Sequence, residues 1–417
     1  MQTLPGFRDF YPEDCARRDY ITSVWRTVAR RYGFMEYDGP VLEGLDLYRK
    51  KNSGGEILSQ LFNFTDKGER EVALRPEMTP TLVRMVAARE THYKKPLKWF
   101  SIASFFRYEK PQKGRSREFL QFNCDLLGEG NQAADAEMIA LMVDTLRAFG
   151  FTEKDVVLRL SDRNAWTEFL REKTGSDTAL AEFLQIIDKL ERETEEALHE
   201  KLGALGVTLP DVRNFIAHGK PAFLTALMTD LEARGLSAFV EIDLTIVRGL
   251  AYYTGLVFEV FDRTKKLRAI AGGGRYDRLL SDLSDGSVNL PAIGFGMGDV
   301  VLGNLIDQVP AAAEAMKTAL LSASACEAYV VIADEARRTD ALGIVQHLRN
   351  AGHRVDFPLV AVKVGKQFQN AEQAGAKVAV VIGNEWPVLK VKHLSSRTEE
   401  TLSLDALTDR VADLIKL

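Results

Sequence analysis

Arg248, Tyr252 and Tyr253 stand within one short stretch, residues 247–259, that joins two runs rich in branched and aromatic residues, 238–246 and 256–261. A guanidinium at the end of a strand can hold a carboxylate or a phosphate in a rigid fork of donors, and a phenol can both donate and accept. Gly249 and Gly255 let the backbone turn there or come close to a ligand. A lone Gly-bearing hairpin whose arginine pairs with a surface carboxylate would read the same way, so the chemistry depends on what else converges on this stretch.

Three other segments carry groups of the right kind. Glu77 lies where the returning strand of a hairpin, residues 71–75, passes into a helix over 81–89. A carboxylate there could receive an ammonium group, or simply complement the helix dipole. From Arg107 to Glu118 five cations face two acids, between β-rich runs at 98–108 and 119–127. In a chain of net charge -5, such a loop suits a phosphate-bearing partner. The tract Gly272-Gly273-Gly274 reads as backbone closely approached by a ligand or another strand. Gly294, Gly296 and Gly298 alternate at period two and clear one face of a strand before a helix begins near Asp299. Neither tract has the strand-loop-helix context of a dinucleotide site, and G-x-x-x-x-G-K-[ST] is absent.

These groups need a frame. At 417 residues, 46% hydrophobic and 27% charged, the chain has the size and composition of a soluble protein of two or three domains. Its three cysteines form no CxxC and its six histidines show no ligand spacing, so neither a disulfide framework nor a tightly bound metal is expected. No apolar run is long enough for a membrane span and the first residues do not resemble a signal peptide, which makes the cytoplasm the expected location. The pattern predicts a helix from Pro12 to about Tyr32, a strand over 34–43 interrupted by Pro40, and a β-rich core over residues 1–162 and 237–308. An almost continuously helical insertion over 163–236 interrupts that core. An alanine-rich linker at 309–325 leads to a small αβ unit at 326–417, a mostly parallel sheet covered by helices.

Taken together, the segments resemble the histidyl-tRNA synthetases, a family of class II aminoacyl-tRNA synthetases. The helix with the Pro40 strand is similar to motif 1, and Phe106-Arg-Tyr-Glu109 through Phe119 to motif 2. Arg248-Gly-Leu-Ala-Tyr-Tyr-Thr-Gly255 and Ala271-Gly-Gly-Gly-Arg-Tyr-Asp277 are similar to the two histidine-specific signatures, and residues from about 326 onward to an anticodon-binding domain. The resemblance implies an α+β fold: an antiparallel catalytic sheet with a helical insertion, followed by an α/β anticodon-binding domain. It also implies a homodimer that joins L-histidine to tRNA(His) through an adenylate, with ATP and substrate-bound Mg2+. By the same resemblance Arg107 meets the α-phosphate, Phe119 stacks on adenine, Glu109 belongs to the ATP site, and Arg248 neutralises charge near the attacking carboxylate. Glu77, Thr79 and Gln121 hold the α-amino group. Asp125 and Tyr253 bracket the imidazole with Tyr252 nearby, and Gln112, Lys113 and Arg115 face the tRNA.

Three positions depart from the family pattern. Ala251 stands where an aspartate is usual, Asp125 where a glutamate is usual, and Val301 where the motif 3 helix normally carries an arginine for the γ-phosphate. Arg115 or Arg275 is the expected replacement cation. The rival reading is a catalytically silent paralogue, such as the synthetase-like regulatory subunit of ATP phosphoribosyltransferase in histidine biosynthesis. Val301 favours the rival; Glu77, Arg107, Gln121, Arg248 and Tyr253 favour the enzyme.

Overall fold

The computed structural model describes residues 2–49, 55–110, 114, 116–248, 252–322 and 326–416. The chain divides into two compact units, Met1–Met316 and Lys317–Leu417.

The first unit is built on an eight-stranded sheet. In spatial order its strands are Met35–Glu36, Leu97–Phe106, Glu118–Leu127, Ala292–Gly298, Ala271–Arg275, Leu256–Asp262, Val156–Asp162 and Val240–Ile242. The six inner strands pair antiparallel, and each edge strand pairs parallel to its neighbour. Side chains alternate between the two faces of such a sheet. One face carries Phe122, Cys124, Phe295 and Met297, packed beneath helices Pro12–Arg31 and Gln132–Ala148, with Trp25 stacked on Phe122 at 5.5 Å. The register puts Phe119, Gln121 and Asp125 on the other face, in line with Gly294, Gly296 and Gly298 across the ladder. Helix Thr79–Arg89 covers that second face through Leu82, Val83 and Val86, which pack against Trp99, Tyr252 and Tyr276.

Helix Pro12–Arg31 forms where its apolar stripe places it, with proline in its first turn, Glu13 and Asp14 at the positive end of its dipole and Arg30 and Arg31 at the negative end. The single strand expected over 34–43 is two strands in different sheets. Met35–Glu36 edges the large sheet, and Leu42–Gly44 joins a small one with Glu71–Leu74 and Asn63–Thr65. Pro40 has no N–H for a ladder and lies at the break.

The runs flanking Arg248 do not form a hairpin. The first supplies only Val240–Ile242, parallel to Val156–Asp162, which sits between it and Leu256–Asp262. Parallel neighbours need a long crossover. The helical insertion is that crossover: Arg163–Thr174, Leu180–Asp188, Glu195–Ala204, Leu209–His218 and Ala222–Ala233 lie between the two strands in sequence.

In the second unit five strands run in the order Val355–Asp356, Ala328–Ile332, Val378–Ile382, Leu389–His393 and Thr398–Leu402. The first three are parallel and the last two antiparallel. The polar run Thr398-Glu-Glu-Thr401 gives no apolar alternation, and the edge strand it forms was not expected. The alanine-rich stretch expected as a linker folds as helix Pro310–Ser322, as the high helix propensity of alanine favours.

Candidate active site

Two adjacent strands, Ala271–Arg275 and Ala292–Gly298, form a floor made of glycine. A Cβ on Gly272 would stand 1.5 Å from Arg248 Nη1, and one on Gly274 would stand 2.9 Å from the Tyr253 ring. On the next strand a Cβ at Gly294 would stand 2.1 Å from Asp125 Oδ1, and at Gly296 2.8 Å from Gln121. Side chains that reach over the sheet occupy the room the glycines leave. The period-two glycines and the glycine triplet thus bring Arg248, Tyr253, Asp125 and Gln121 onto one surface.

Glu77 reaches this surface from the residues preceding helix Thr79–Arg89, with its Oε2 3.5 Å from the Tyr252 hydroxyl. Thr79 opens that helix and acts on the same hydroxyl, drawing the Tyr252 pKa down against its burial. Burial pushes the Glu77 carboxyl up to about 7 although Arg107 pulls it down, and among the described residues nothing hydrogen-bonds its Oε1. Asp125 is also buried and pushed up to about 7 by its loss of water, while a 2.5 Å bond donated by the Tyr276 hydroxyl holds it lower than burial alone would. Two carboxyl groups poised near neutrality in one pocket are the mark of a site built for a cationic or strongly hydrogen-bonding ligand.

Arg248 lies 3.0 Å from Glu259, and its guanidinium sits 5.6 Å from the centre of the Tyr253 ring. Burial works against its charge, but Tyr253, Glu259 and Tyr252 together raise its pKa above the ordinary value. Its Nε is buried with no hydrogen-bond partner among the described residues. Its backbone is left-handed at φ +50°, which costs a residue with a side chain about 1–3 kcal/mol and persists where the surroundings impose it. Arg107 and Phe119 face each other across the neighbouring strand pair, the guanidinium 5.3 Å over the ring, with Arg107 Nε donating to Pro76 O at 3.0 Å.

Not every expected residue joins this cluster. Arg275 turns to the opposite face of the sheet, where its Nε lies 2.7 Å from Asp135 Oδ1 and Nη2 donates to Asn131 O at 3.0 Å. The cause is register: Gly272 and Gly274 face the pocket, so the next residue on that strand does not. Arg275 is therefore a buried structural cation rather than a stand-in for the motif 3 arginine. Burial pushes Asp135 up to about 6 despite the Arg275 charge. Arg275→Ala strands that carboxyl and should cost about 3–5 kcal/mol of stability, read as a lowered urea midpoint. Val301 stands in helix Asp299–Gln308 about where expected, 3.8 Å from the position of a Cβ on Gly114. Ala251, Gln112, Lys113 and Arg115 lie outside the described residues, and Glu109 follows the Leu97–Phe106 strand, its carbonyl accepting from Arg117 Nε at 3.1 Å. Sequence reasoning passed over Tyr276 as a site residue, although the tract Gly-Arg-Tyr-Asp contained it, and missed Glu259 and Arg163. Among the described residues no group of three or more His, Cys, Asp or Glu side chains is arranged to hold a metal ion, and no helix is long and apolar enough to cross a membrane.

Residues 6–298 match the family model for histidyl-tRNA synthetase, and residues 327–414 match that for an anticodon binding domain. The Histidine--tRNA ligase of Opitutus terrae is 46% identical, over 99% of this chain and 98% of its own. The chain belongs to the histidyl-tRNA synthetase family. The chloroplastic/mitochondrial Histidine--tRNA ligase of Arabidopsis thaliana is 36% identical over 96% of this chain and 85% of its own. Two solved structures share the fold at 23% identity each. The histidyl-tRNA synthetase of a Nostoc species has a TM-score of 0.78, with 99% of each chain covered. An ATP phosphoribosyltransferase regulatory subunit/histidyl-tRNA synthetase of Bacillus halodurans has a TM-score of 0.71, over 91% of this chain and 97% of that one. Membership gives the buried cluster its context in a family of adenylate-forming ligases.

With both carboxyls raised to about 7, binding of an ammonium-bearing ligand there would depend on pH. A carboxyl with its pKa near 7 is largely neutral at pH 6 and largely ionised at pH 8, and an ammonium group prefers the ionised form. Histidine affinity should therefore rise with pH through this window. Glu77→Gln should remove about one decade of that rise between pH 6 and 8, measured by calorimetric titration of both proteins so that the ligand's own titration cancels.

Proposed function

We propose that this chain is a histidine–tRNA ligase, which activates L-histidine with ATP and transfers the histidyl group to the 3′ end of tRNA(His). In the first step a carboxylate oxygen of histidine attacks the α-phosphorus of ATP and pyrophosphate leaves; in the second a ribose hydroxyl of the tRNA attacks the carbonyl and AMP leaves. The protein's task is to position and to neutralise, since no covalent intermediate on a side chain is required. Glu77, Thr79 and Gln121 hold the α-ammonium, and Asp125 and Tyr253 meet the two imidazole nitrogens, with Tyr252 bonded to Glu77. Arg248 stands between the attacking carboxylate and the α-phosphate. Arg107 holds that phosphate from the other side, and Phe119 stacks on the adenine with Glu109 nearby. Mg2+ enters with the ATP phosphates as part of the substrate. Gln112, Lys113 and Arg115 serve the tRNA acceptor end, and Arg115 also stands in for the cation that Val301 does not supply. The working form is a cytoplasmic homodimer.

The observation that carries this reading is the glycine floor that Arg248, Tyr253, Asp125 and Gln121 reach over, together with two buried atoms that have no hydrogen-bond partner among the described residues, Glu77 Oε1 and Arg248 Nε. An amino acid has an ammonium for the first and a carboxylate for the second. Val301 favours the second reading, a synthetase-like protein without the reaction. Charging of tRNA(His) with labelled histidine by the purified protein separates the two: the ligase acylates that tRNA and leaves other tRNAs uncharged, and the silent paralogue charges none. Within the ligase, Arg115→Ala should raise the KM for ATP by at least about tenfold, the worth of one charge-assisted bond to a phosphate, and an unchanged KM would remove Arg115 from the ATP site.

A further inference from the structure

We infer that Arg163 is a positioning residue for Arg248, an inference that rests on the reading of Arg248 as the group meeting the reacting carboxylate and phosphate. Arg163 opens helix Arg163–Thr174 and is buried, with 9% of its surface exposed. Each of its three guanidinium nitrogens donates to a backbone carbonyl: Nε to Val247 O at 3.1 Å, Nη2 to Arg248 O at 2.8 Å and Nη1 to Tyr253 O at 2.8 Å. Its own N–H adds a fourth bond, to Gly255 O at 3.0 Å. The four carbonyls lie on both sides of residues 249–251, so one residue ties together the two ends of the segment that presents Arg248 and Tyr253.

Stability alone does not account for this choice of side chain. A buried cation whose side-chain hydrogen bonds, among the described residues, go to neutral carbonyls loses its water with no carboxylate bonded to it, and burial draws the Arg163 pKa below the ordinary arginine value although Tyr253 and the more distant Asp188 act the other way. The guanidinium instead offers what an aliphatic or a lysine could not, several donors in one rigid plane. That plane grips the carbonyl of Arg248 itself and of the residue before it, where the backbone is held at φ +50°. Arg163 is in turn fixed at a rigid junction. Asp162 ends strand Val156–Asp162 and caps the helix by accepting from Asn164 N at 3.0 Å. Arg163 thus transmits the rigidity of the sheet to a loop carrying the cation on which the chemistry turns.

The test is a double-mutant cycle read by histidine-dependent ATP–pyrophosphate exchange with the full-length protein. Arg163→Lys and Arg163→Gln are each compared with the parent and within Arg248→Ala. Lysine keeps the charge but can serve only part of the carbonyl set, and it carries the cycle if the glutamine variant does not fold. The expected result is a fall in kcat of about 100-fold, the cost of a misplaced reacting group, with the KM for histidine and ATP changed by less than about threefold. In the Arg248→Ala background the same substitutions should change kcat by less than about twofold, because the group they act through is gone. A merely structural role would lower activity equally in both backgrounds, and that result, a loss confined to KM, or no loss at all overturns the inference. Arg248→Ala alone keeps the two claims apart. If it leaves exchange intact, the reading of Arg248 fails and the inference falls with it; if it cripples exchange while Arg163→Lys does not, only the inference fails.

Discussion

Arg248→Ala should lower kcat for histidine-dependent ATP–pyrophosphate exchange about 100- to 1,000-fold, the range found when a preorganised donor is removed from a developing charge. The expectation follows from how the residue is held. Its guanidinium lies against Glu259 and Tyr253, its Nε is buried without a partner among the described residues, and its own carbonyl is gripped by Arg163. A side chain held this tightly at a left-handed backbone position is preorganised, so its removal costs the transition state more than the folded state. The KM for histidine should change less than kcat, because Glu77, Tyr252 and Tyr253 remain. The measurement is a comparison of steady-state exchange at saturating and limiting histidine. A loss carried entirely by KM would make Arg248 an anchor for the substrate carboxylate and nothing more.

Gly272→Ala should reproduce much of that loss with Arg248 still in place. The added Cβ would fall 1.5 Å from Arg248 Nη1, 2.7 Å from its Cζ and 3.2 Å from Glu259 Cγ. The neighbour that must yield is the far end of a long side chain, so the sheet need not deform and the guanidinium moves instead. Displacement of a reacting group by about an ångström is worth roughly 100-fold in rate. Alanine fits strand geometry and narrows the unfolded ensemble, which offsets part of the cost of moving the guanidinium from Glu259, so the melting temperature should fall by no more than a few degrees. A Gly272→Ala protein of unchanged melting temperature and full activity would show that the position of Arg248 over the floor does not matter.

Much of the site was legible in the sequence because its signals are local. A period-two run of glycines says that one face of a strand is bare, and Ala292–Gly298 has that face at the pocket. Glu77 at a strand-to-helix junction and Arg248 beside two phenols are readable from residue type and neighbours alone. The failures are those of topology. The two runs around Arg248 each look like a strand, but which strand lies between them depends on a pairing more than seventy residues away, Leu158 with Val240. The side to which Arg275 points depends on the parity of the glycine triplet relative to the pocket, which follows only from the register with Leu256–Asp262 and Ala292–Gly298. Arg163 gave no signal at all: a basic residue opening a charged helix looks solvated, and its three carbonyl partners are scattered from Val247 to Tyr253. Val301 is the opposite case, since the missing charge is plain in the sequence and the helix puts it about where the motif predicts.

The central claim is that this pocket forms histidyl-adenylate although its motif 3 helix carries valine at the arginine position. ATP–pyrophosphate exchange measures that step directly and without tRNA. Purified protein with ATP, Mg2+ and labelled pyrophosphate should move label into ATP when histidine is added and not when other amino acids replace it. Absence of histidine-dependent exchange under every condition of pH and Mg2+ would contradict the claim and leave the chain a synthetase-like protein without the reaction.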